Sequence, residues 1–107
     1  METFIINNNQ GKRFSKLSGD YNKIHIDKKY GYNSQFGENI VHGSLVIIKI
    51  LLMLKKNLYI NKNLKKIDFK FVNFIKYNNR LKLKKISNLN YNLIQNKKIV
   101  IKIEING

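Results

Sequence analysis

Cysteine and proline are both absent from this chain of 107 residues, and tryptophan is absent as well. Without cysteine there is no disulfide bond, no thiolate metal site and no cysteine nucleophile. The same absence fits a reducing compartment, and we expect a cytoplasmic protein. Lysine, asparagine and isoleucine are abundant along the whole sequence. These three residues have A/T-rich codons and proline does not, which indicates that genome base composition has shaped much of the chain.

Acidic residues are scarce, since six Asp and Glu stand against 21 Lys and Arg and leave a net charge of +15. Such a charge suggests nucleic-acid binding, in which basic side chains neutralise phosphates. The lysines are spread over the whole chain, however, and the only arginines are Arg13 and Arg80. Codon bias explains this pattern better, and we expect no nucleic-acid partner. A basic surface would still favour an acidic small ligand or an acidic carrier protein.

Long hydrophobic runs are also lacking. The most apolar segment, 45–54, is interrupted by Lys49 and is far shorter than the roughly 20 residues that span a bilayer. The start of the chain, residues 1–10, lacks the basic segment and apolar run of a secretory signal. We therefore expect a soluble protein with no membrane partner.

The length of the chain predicts a single domain covering residues 1–107. Its hydrophobic fraction of 43% is sufficient for a folded core. A domain of this size buries only a modest share of its surface, so dimerisation would add substantially to its stability.

The first half of the chain predicts little regular structure before one helix. Residues 4–6 form a short β-like run, and the polar residues 7–11 predict a turn. Phe14 and Leu17 are three residues apart, which indicates one apolar side of a short helix. We expect a loop from Asp20 to Asp27, with Asp27 as the N-cap of one helical turn.

A long helix is predicted from Gly43 to about Lys56, because its apolar residues recur at helical spacing. Apolar residues occur on most of its faces, which is typical of a buried helix. After it, alternating apolar residues predict strands at 67–71, 81–84 and 99–104, and residues 88–92 are either a turn or part of another strand. The expected fold is α+β, with one long buried helix wrapped by an antiparallel sheet.

The segment Ser18–Asp27 carries the most informative chemistry. Asp20, Asn22 and His25 occur within six positions of a chain that has only two histidines. One interpretation is structural: Asp20 caps a turn, and His25 packs beside its isoleucine neighbours. The other is catalytic, because a histidine that titrates near neutrality beside a carboxylate is suited to proton transfer. The occurrence of all three residues together favours the catalytic interpretation.

Two motifs in this region resemble the signature of a known family. Leu-Ser-Gly-Asp-Tyr-Asn-x-Ile-His-x-Asp occupies 17–27, and Phe-Gly-x-x-Ile-Val-His-Gly-x-Leu occupies 36–45. Together they resemble the MaoC-like dehydratases, the (R)-specific enoyl-CoA hydratases of the hotdog fold. The resemblance implies a homodimeric hotdog enzyme that reversibly adds water to a trans-2-enoyl thioester. The product would be a (3R)-3-hydroxyacyl thioester, with coenzyme A or an acyl carrier protein as the substrate's carrier and with no metal or other cofactor.

By this resemblance, Asp20 and His25 would be catalytic, holding and activating the water and handling the proton exchanged at the α carbon. Asn22 would hold the hydration site in place by hydrogen bonds. The backbone N–H of Gly43 would bind the thioester carbonyl oxygen. That last role has a physical basis, because a helix N-terminus presents unpaired N–H groups and a partial positive charge. His42 is interpreted as a loop anchor, and Ser44 as the helix N-cap.

The sequence departs from the family pattern inside the long helix. Leu51 stands where the family often places a serine that supports the catalytic pair, so fewer side chains would hold Asp20 and His25 in position. This departure keeps open an alternative function, in which a non-catalytic hotdog module binds acyl thioesters or a partner subunit. Lys82, Lys84 and Lys85 are expected on the solvated face of a strand, the alternative being contact with the phosphates of coenzyme A or with an acidic carrier protein.

Overall fold

The computed structural model describes residues 2–57 and 66–106. Within them the chain forms α1 (Asn8–Ser18), α2 (Lys23–Ile26), α3 (Lys28–Tyr32) and α4 (Gly43–Asn57), together with β1 (Glu2–Phe4), β2 (Lys66–Phe71), β3 (Leu81–Lys85), β4 (Asn90–Gln95) and β5 (Lys98–Asn106). The strands make one antiparallel sheet in the order β1-β3-β4-β5-β2. The α+β prediction is therefore confirmed.

The core lies between α4 and one face of the sheet. Alternation along β3, β4 and β5 turns every second side chain toward the helix. The prediction that α4 is buried on most faces was too broad, because Ile48 is 44% exposed and Leu52 is 60% exposed. The sheet covers one side of the helix, and these two residues lie one turn apart on another side. The buried residues of the core that come from α4 and the three strands are Leu45, Val46, Ile50, Leu54, Leu81, Leu83, Tyr91, Leu93, Val100, Ile101, Ile103 and Ile105.

Helix α1 begins earlier than the sequence indicated. Oδ1 of Asn7 accepts a hydrogen bond from the N–H of Gln10, and the N–H of Asn7 donates one to Oε1 of Gln10, which completes a capping box. The polar residues predicted as a turn at 7–11 are therefore the start of a helix. Leu17 was also placed wrongly, since it is 87% exposed while Phe14 packs against the core.

The predicted loop from Asp20 to Asp27 contains a helical turn, α2. Gly19 ends α1 in the left-handed conformation, with φ of 79°, which a residue with a side chain adopts only under strain. Asp27 accepts a hydrogen bond from the N–H of Tyr30 at 3.1 Å, so its predicted role as the N-cap of a helical turn is confirmed. The predicted loop thus contains α2, and α3 follows directly after its last residue, Asp27.

The strand predictions after α4 are confirmed, and the open question at 88–92 is settled by β4, which starts at Asn90. A two-residue turn that the sequence reading missed joins β4 to β5. Asn96 and Lys97 both have positive φ there, 51° and 65°, as a type I′ turn requires. No helix in the described part of the chain is both long and apolar enough to cross a membrane.

Candidate active site

Asp20 and His25 face each other across a short gap. Oδ1 of Asp20 accepts a hydrogen bond from the N–H of Asn22 at 3.1 Å, which fixes the carboxylate over the turn that follows it. The other oxygen, Oδ2, lies 3.9 Å from Nε2 of His25. The structure therefore brings together the two residues that the motif predicted to be catalytic.

A backbone carbonyl orients the ring of His25. Nδ1 of His25 lies 2.9 Å from the carbonyl oxygen of Ile40, and because a carbonyl only accepts, Nδ1 carries the hydrogen. In the neutral ring Nε2 is then an acceptor, and it is the atom that faces Asp20. The position of Ile40 is itself fixed, because its N–H donates to the carbonyl of Ile24 at 3.1 Å. The gap is thus bounded by two hydrogen-bond acceptors on oriented side chains.

His42 lies directly behind this pair and is 1% exposed. Its ring stacks on that of His25, with centroids 4.0 Å apart and 24° between the planes, and Phe14 packs edge-on at 5.1 Å. Nε2 of His42 donates to the carbonyl of Asp20 at 3.2 Å. These contacts support the interpretation of His42 as a loop anchor, since one ring contacts both segments that form the site.

Burial lowers the pKa of His42 below its ordinary value, and the neighbouring His25 lowers it further, while the hydrogen bond to Asp20 and the charge of Asp20 act in the opposite direction. Within the described residues Nδ1 of His42 has no hydrogen-bond partner. A second proton on the ring would therefore be buried without an acceptor. His42 is neutral at physiological pH, with its hydrogen on Nε2.

Ser15, in the middle of α1, was missed by the sequence reading. It is 1% exposed, and its Oγ lies 3.2 Å from Nε2 of His42. The hydroxyl thus supports His42 from a different helix than the one in which the family often places its serine. Nothing distinguished Ser15 in the sequence, because its partner lies 27 residues away. Leu51, at that family position, is partly buried in α4.

Asn39 was also missed, although it holds the segment that carries His25. Its side-chain Nδ2 donates to the carbonyls of Ile24 at 2.9 Å and Asp27 at 2.8 Å, and the residue is 7% exposed. The chain approaches Gly31 so closely here that a Cβ at Gly31 would lie 2.5 Å from the backbone nitrogen of Asn39. Asn39 therefore links the loop before α4 to both ends of the α2 segment.

Asn22 makes hydrogen bonds to its near neighbours in the chain. Its Oδ1 accepts a hydrogen bond from the N–H of Ile24 at 3.1 Å and so caps α2, while its own N–H donates to Asp20. The side chain is exposed. Among the described residues no group accepts from Nδ2, and this amide is the part of Asn22 that remains for a bound molecule.

Gly43 is the first residue of α4 and directly follows His42. The N-terminus of the helix thus begins beside the stacked pair of histidine rings. A Cβ at Gly43 would lie 3.3 Å from Cζ of Phe71 and 3.4 Å from its Cε2, so a side chain there would press against that ring. Ser44, for which a capping role was predicted, instead lies inside the first turn of α4, because the helix begins one residue earlier.

Asp20, His25 and His42 also contain donor atoms that all lie within 4.8 Å of one another, a grouping that could suggest a metal site. The rings of the two histidines are stacked and nearly parallel. A metal ion lies in the plane of each imidazole that binds it, about 2.1 Å from the nitrogen. Two stacked rings cannot satisfy this condition together, so the cluster is better suited to proton transfer than to metal binding.

One long helix packed on a five-stranded antiparallel sheet is the hotdog fold. The same fold is found in the unliganded R-hydratase PhaJ1 from Pseudomonas aeruginosa (TM-score 0.80, 24% identity, 97% of this chain and 74% of that one). The (R)-hydratase from A. caviae involved in PHA biosynthesis is similar (TM-score 0.75, 14% identity, 97% and 88%). A MaoC-like dehydratase from Phytophthora capsici is also similar (TM-score 0.75, 17% identity, 98% and 39%).

The family model of the MaoC like domain matches residues 3–104, which is nearly the whole chain. The chain therefore belongs to the MaoC-like domain family, as the two motifs indicated. Membership of this family supports the assignment of the chain to the hydratases and dehydratases. No curated protein sequence matches this chain significantly.

Proposed function

We propose that this protein is a lyase that reversibly adds water to a trans-2-enoyl thioester and gives a (3R)-3-hydroxyacyl thioester. The observation that carries the proposal is the gap between Asp20 and His25. Oδ2 and Nε2 lie 3.9 Å apart, and both are acceptors, because the hydrogen of the neutral His25 ring lies on Nδ1. One water molecule has two hydrogens, and a pair of acceptors at this separation is suited to receive both.

The proposed step uses these two acceptors as a base. One O–H bond of the water breaks as its proton passes to the pair, and the oxygen forms a bond to C3 of the enoyl group. Electrons of the C2–C3 double bond move onto the thioester carbonyl oxygen as an enolate. They then return to form the C2–H bond with a proton from the same pair, which restores the carbonyl. The reverse sequence eliminates water. The orientation of both side chains by backbone groups reduces the rearrangement needed at the moment of reaction.

The N-terminus of α4 is proposed to stabilise the negative charge that develops on the thioester oxygen. The N–H of Gly43 is one of the first in the helix, where N–H groups have no partner within the helix and a partial positive charge is present. A donor fixed in place before the reaction contributes more than one that must be reoriented. Nδ2 of Asn22 would assist as a donor at the hydration site.

The carrier of the acyl group is proposed to be coenzyme A or an acyl carrier protein, with no metal or further cofactor in the reaction. We also propose a cytoplasmic homodimer. A chain of 107 residues forms a small core on its own, and among the described strands β1 and β2 are the two edge strands of the sheet. The exposed apolar side chains Ile48 and Leu52 on α4 would gain from further burial.

Hydration of crotonyl-CoA tests the proposal. The reaction is measured by the loss of absorbance of the conjugated thioester. Asp20→Asn and His25→Ala should each lower kcat by about 10²- to 10⁴-fold, the range for a positioned acid or base. Asp68→Asn makes the same chemical change on β2 and should leave kcat unchanged. Undiminished turnover in both Asp20→Asn and His25→Ala would refute the assignment. Binding of acyl-CoA without turnover by the wild type would instead support the non-catalytic module.

A further inference from the structure

Phe71 is the last residue of β2. It is more exposed than Phe69, the aromatic residue before it on the same side of the strand. Ile67, Phe69 and Phe71 alternate with charged residues and so share the face of the sheet that is turned toward α4. Ile67 and Phe69 pack against the core. Phe71 is 43% exposed, so nearly half of a large aromatic side chain remains uncovered at this end of the strand.

The covered part of the ring lies over Gly43. The tip of the ring, Cζ, is 3.3 Å from the position that a Cβ of Gly43 would occupy, and Cε2 and Cε1 follow at 3.4 and 3.9 Å. The absence of a side chain at Gly43 thus allows the ring to reach the backbone at the start of α4. This is the backbone to which we assign the thioester oxygen, so the ring forms an apolar wall beside that site.

The chain around Phe71 is fixed by hydrogen bonds. Phe71 pairs with Ile101 in the register of β2 and β5. Immediately after it, the N–H groups of Val72 and Asn73 both point to the carbonyl of Val100, at 2.8 and 3.3 Å. The backbone therefore has little freedom, and the ring remains near Gly43 unless its own side-chain torsions change.

We infer that Phe71 is a specificity-determining residue, whose ring packs against the acyl carbons nearest the thioester carbonyl. The inference rests on the proposed function and adds to it the part of the substrate that the ring contacts. An acyl chain laid on the exposed half of the ring would remove apolar surface of both from water. Removal of the ring would leave space beside these carbons, which the additional carbons of an eight-carbon acyl group can fold into and a four-carbon group cannot fill.

Chain-length preference tests the inference. We would measure kcat/KM for trans-2-butenoyl-CoA and trans-2-octenoyl-CoA in the wild type, Phe71→Ala and Phe71→Leu. The octenoyl-to-butenoyl ratio should rise at least tenfold in Phe71→Ala, a change of the size that apolar pocket contacts produce, and less in Phe71→Leu. Val72→Ala is the matched control: it removes an exposed apolar side chain at the next position and should leave the ratio unchanged.

A purely structural role for Phe71 predicts a different pattern. In that case Phe71→Ala would lower kcat/KM by the same factor for both substrates, together with a lower Tm, and that result would overturn the inference. An unchanged ratio with unchanged kcat/KM would overturn it as well, while leaving hydration by Asp20 and His25 intact.

Binding of saturated thioesters separates this inference from the proposed reaction. Calorimetry with butanoyl-CoA and octanoyl-CoA requires no turnover. If the wild type binds both but hydrates no enoyl thioester, and Phe71→Ala still shifts the octanoyl-to-butanoyl affinity ratio tenfold, the reaction is wrong and the role of Phe71 stands. If neither thioester binds the wild type, the role of Phe71 is refuted.

Discussion

The rings of His25 and His42 are stacked, and each is tied to the backbone of the segment that leads to the other. His25 donates to the carbonyl of Ile40, two residues before His42. His42 donates to the carbonyl of Asp20, five residues before His25. The two chain segments are thus joined reciprocally, with ring centroids 4.0 Å apart. A change in either ring is therefore expected to disturb both segments of the site.

Stability should depend on pH through His42. Burial holds its pKa below the ordinary value of 6.5, so the unfolded chain takes up a proton at this residue before the folded one does. The contribution of His42 is complete above pH 6.5 and is lost as the pH falls from 6.5 toward the folded pKa. In that window the free energy of unfolding should fall by up to about 1.4 kcal/mol per pH unit.

His42→Gln isolates this effect, because glutamine keeps a donor that can reach the carbonyl of Asp20 but does not titrate. Urea unfolding of both proteins from pH 8 to pH 5, at half-unit steps, measures it. Titrating groups that do not contact position 42 contribute equally to the two curves, so the difference belongs to His42 together with the two groups coupled to it, Asp20 and His25. The same pH dependence in both proteins would show that His42 is not the group responsible.

Asn39→Ala should destabilise the protein and impair activity together. The change removes the donor that serves the carbonyls of Ile24 and Asp27, and the expected loss is about 2 kcal/mol in the free energy of unfolding. Because these carbonyls flank His25, crotonyl-CoA hydration should fall as well. Asn9→Ala replaces an exposed asparagine on α1 and should change stability by less than about 0.5 kcal/mol. Equal stability of the two variants would contradict the role of Asn39.

Tyr77→Phe should leave stability unchanged or raise it by about 1 kcal/mol. The hydroxyl of Tyr77 is buried and has no hydrogen-bond partner among the described residues, and burial raises its pKa to about 12, so it stays protonated. Thermal or urea unfolding measures the effect. A loss of more than about 1 kcal/mol would indicate that the hydroxyl makes a stabilising contact.

Gly11→Ala should destabilise α1 against the same tyrosine. A Cβ at Gly11 would overlap the hydroxyl of Tyr77 and lie 2.6 Å from its Cζ, and overpacking of this kind costs about 1–3 kcal/mol. The double variant with Tyr77→Phe should recover part of the loss, because the hydroxyl is gone while the ring remains. A double-mutant cycle with no coupling between the two positions would refute the contact.

Lys97→Gly should stabilise the hairpin of β4 and β5 by about 1 kcal/mol, since Lys97 adopts a left-handed conformation with φ of 65° that glycine adopts without cost. Urea unfolding of the variant measures the gain. Lys98→Gly removes the same charge one residue later, inside β5, and should destabilise instead. A loss of stability in Lys97→Gly would exclude strain at this turn.

The sequence was sufficient for the fold class, because the long apolar segment from Gly43 and the alternating strands after it give strong periodic signals. It also identified Asp20 and His25, which the structure brings together. It did not reveal Ser15 or Asn39. Both act on groups far away in the chain, and neither residue type is unusual in a chain rich in polar residues, so their positions depend on tertiary contacts.

The misplacement of Leu17 has a similar origin. Helical spacing relates Leu17 to Phe14, but it does not say how far around the helix the core extends. The structure buries Gly11 and Ser15 on α1 instead, because Tyr77 and His42 pack there. Polar and small residues form this contact, and a search for apolar periodicity cannot find it.

The groups that orient Asp20 and His25 are main-chain atoms: the N–H of Asn22 on the carboxylate and the carbonyl of Ile40 on the imidazole. Every amino acid except proline supplies both kinds of atom at any position. Mutational drift toward lysine, asparagine and isoleucine therefore leaves these two restraints in place, provided that the chain keeps its path. The orientation of the two proposed catalytic side chains therefore does not depend on the compositional bias seen in the rest of the sequence.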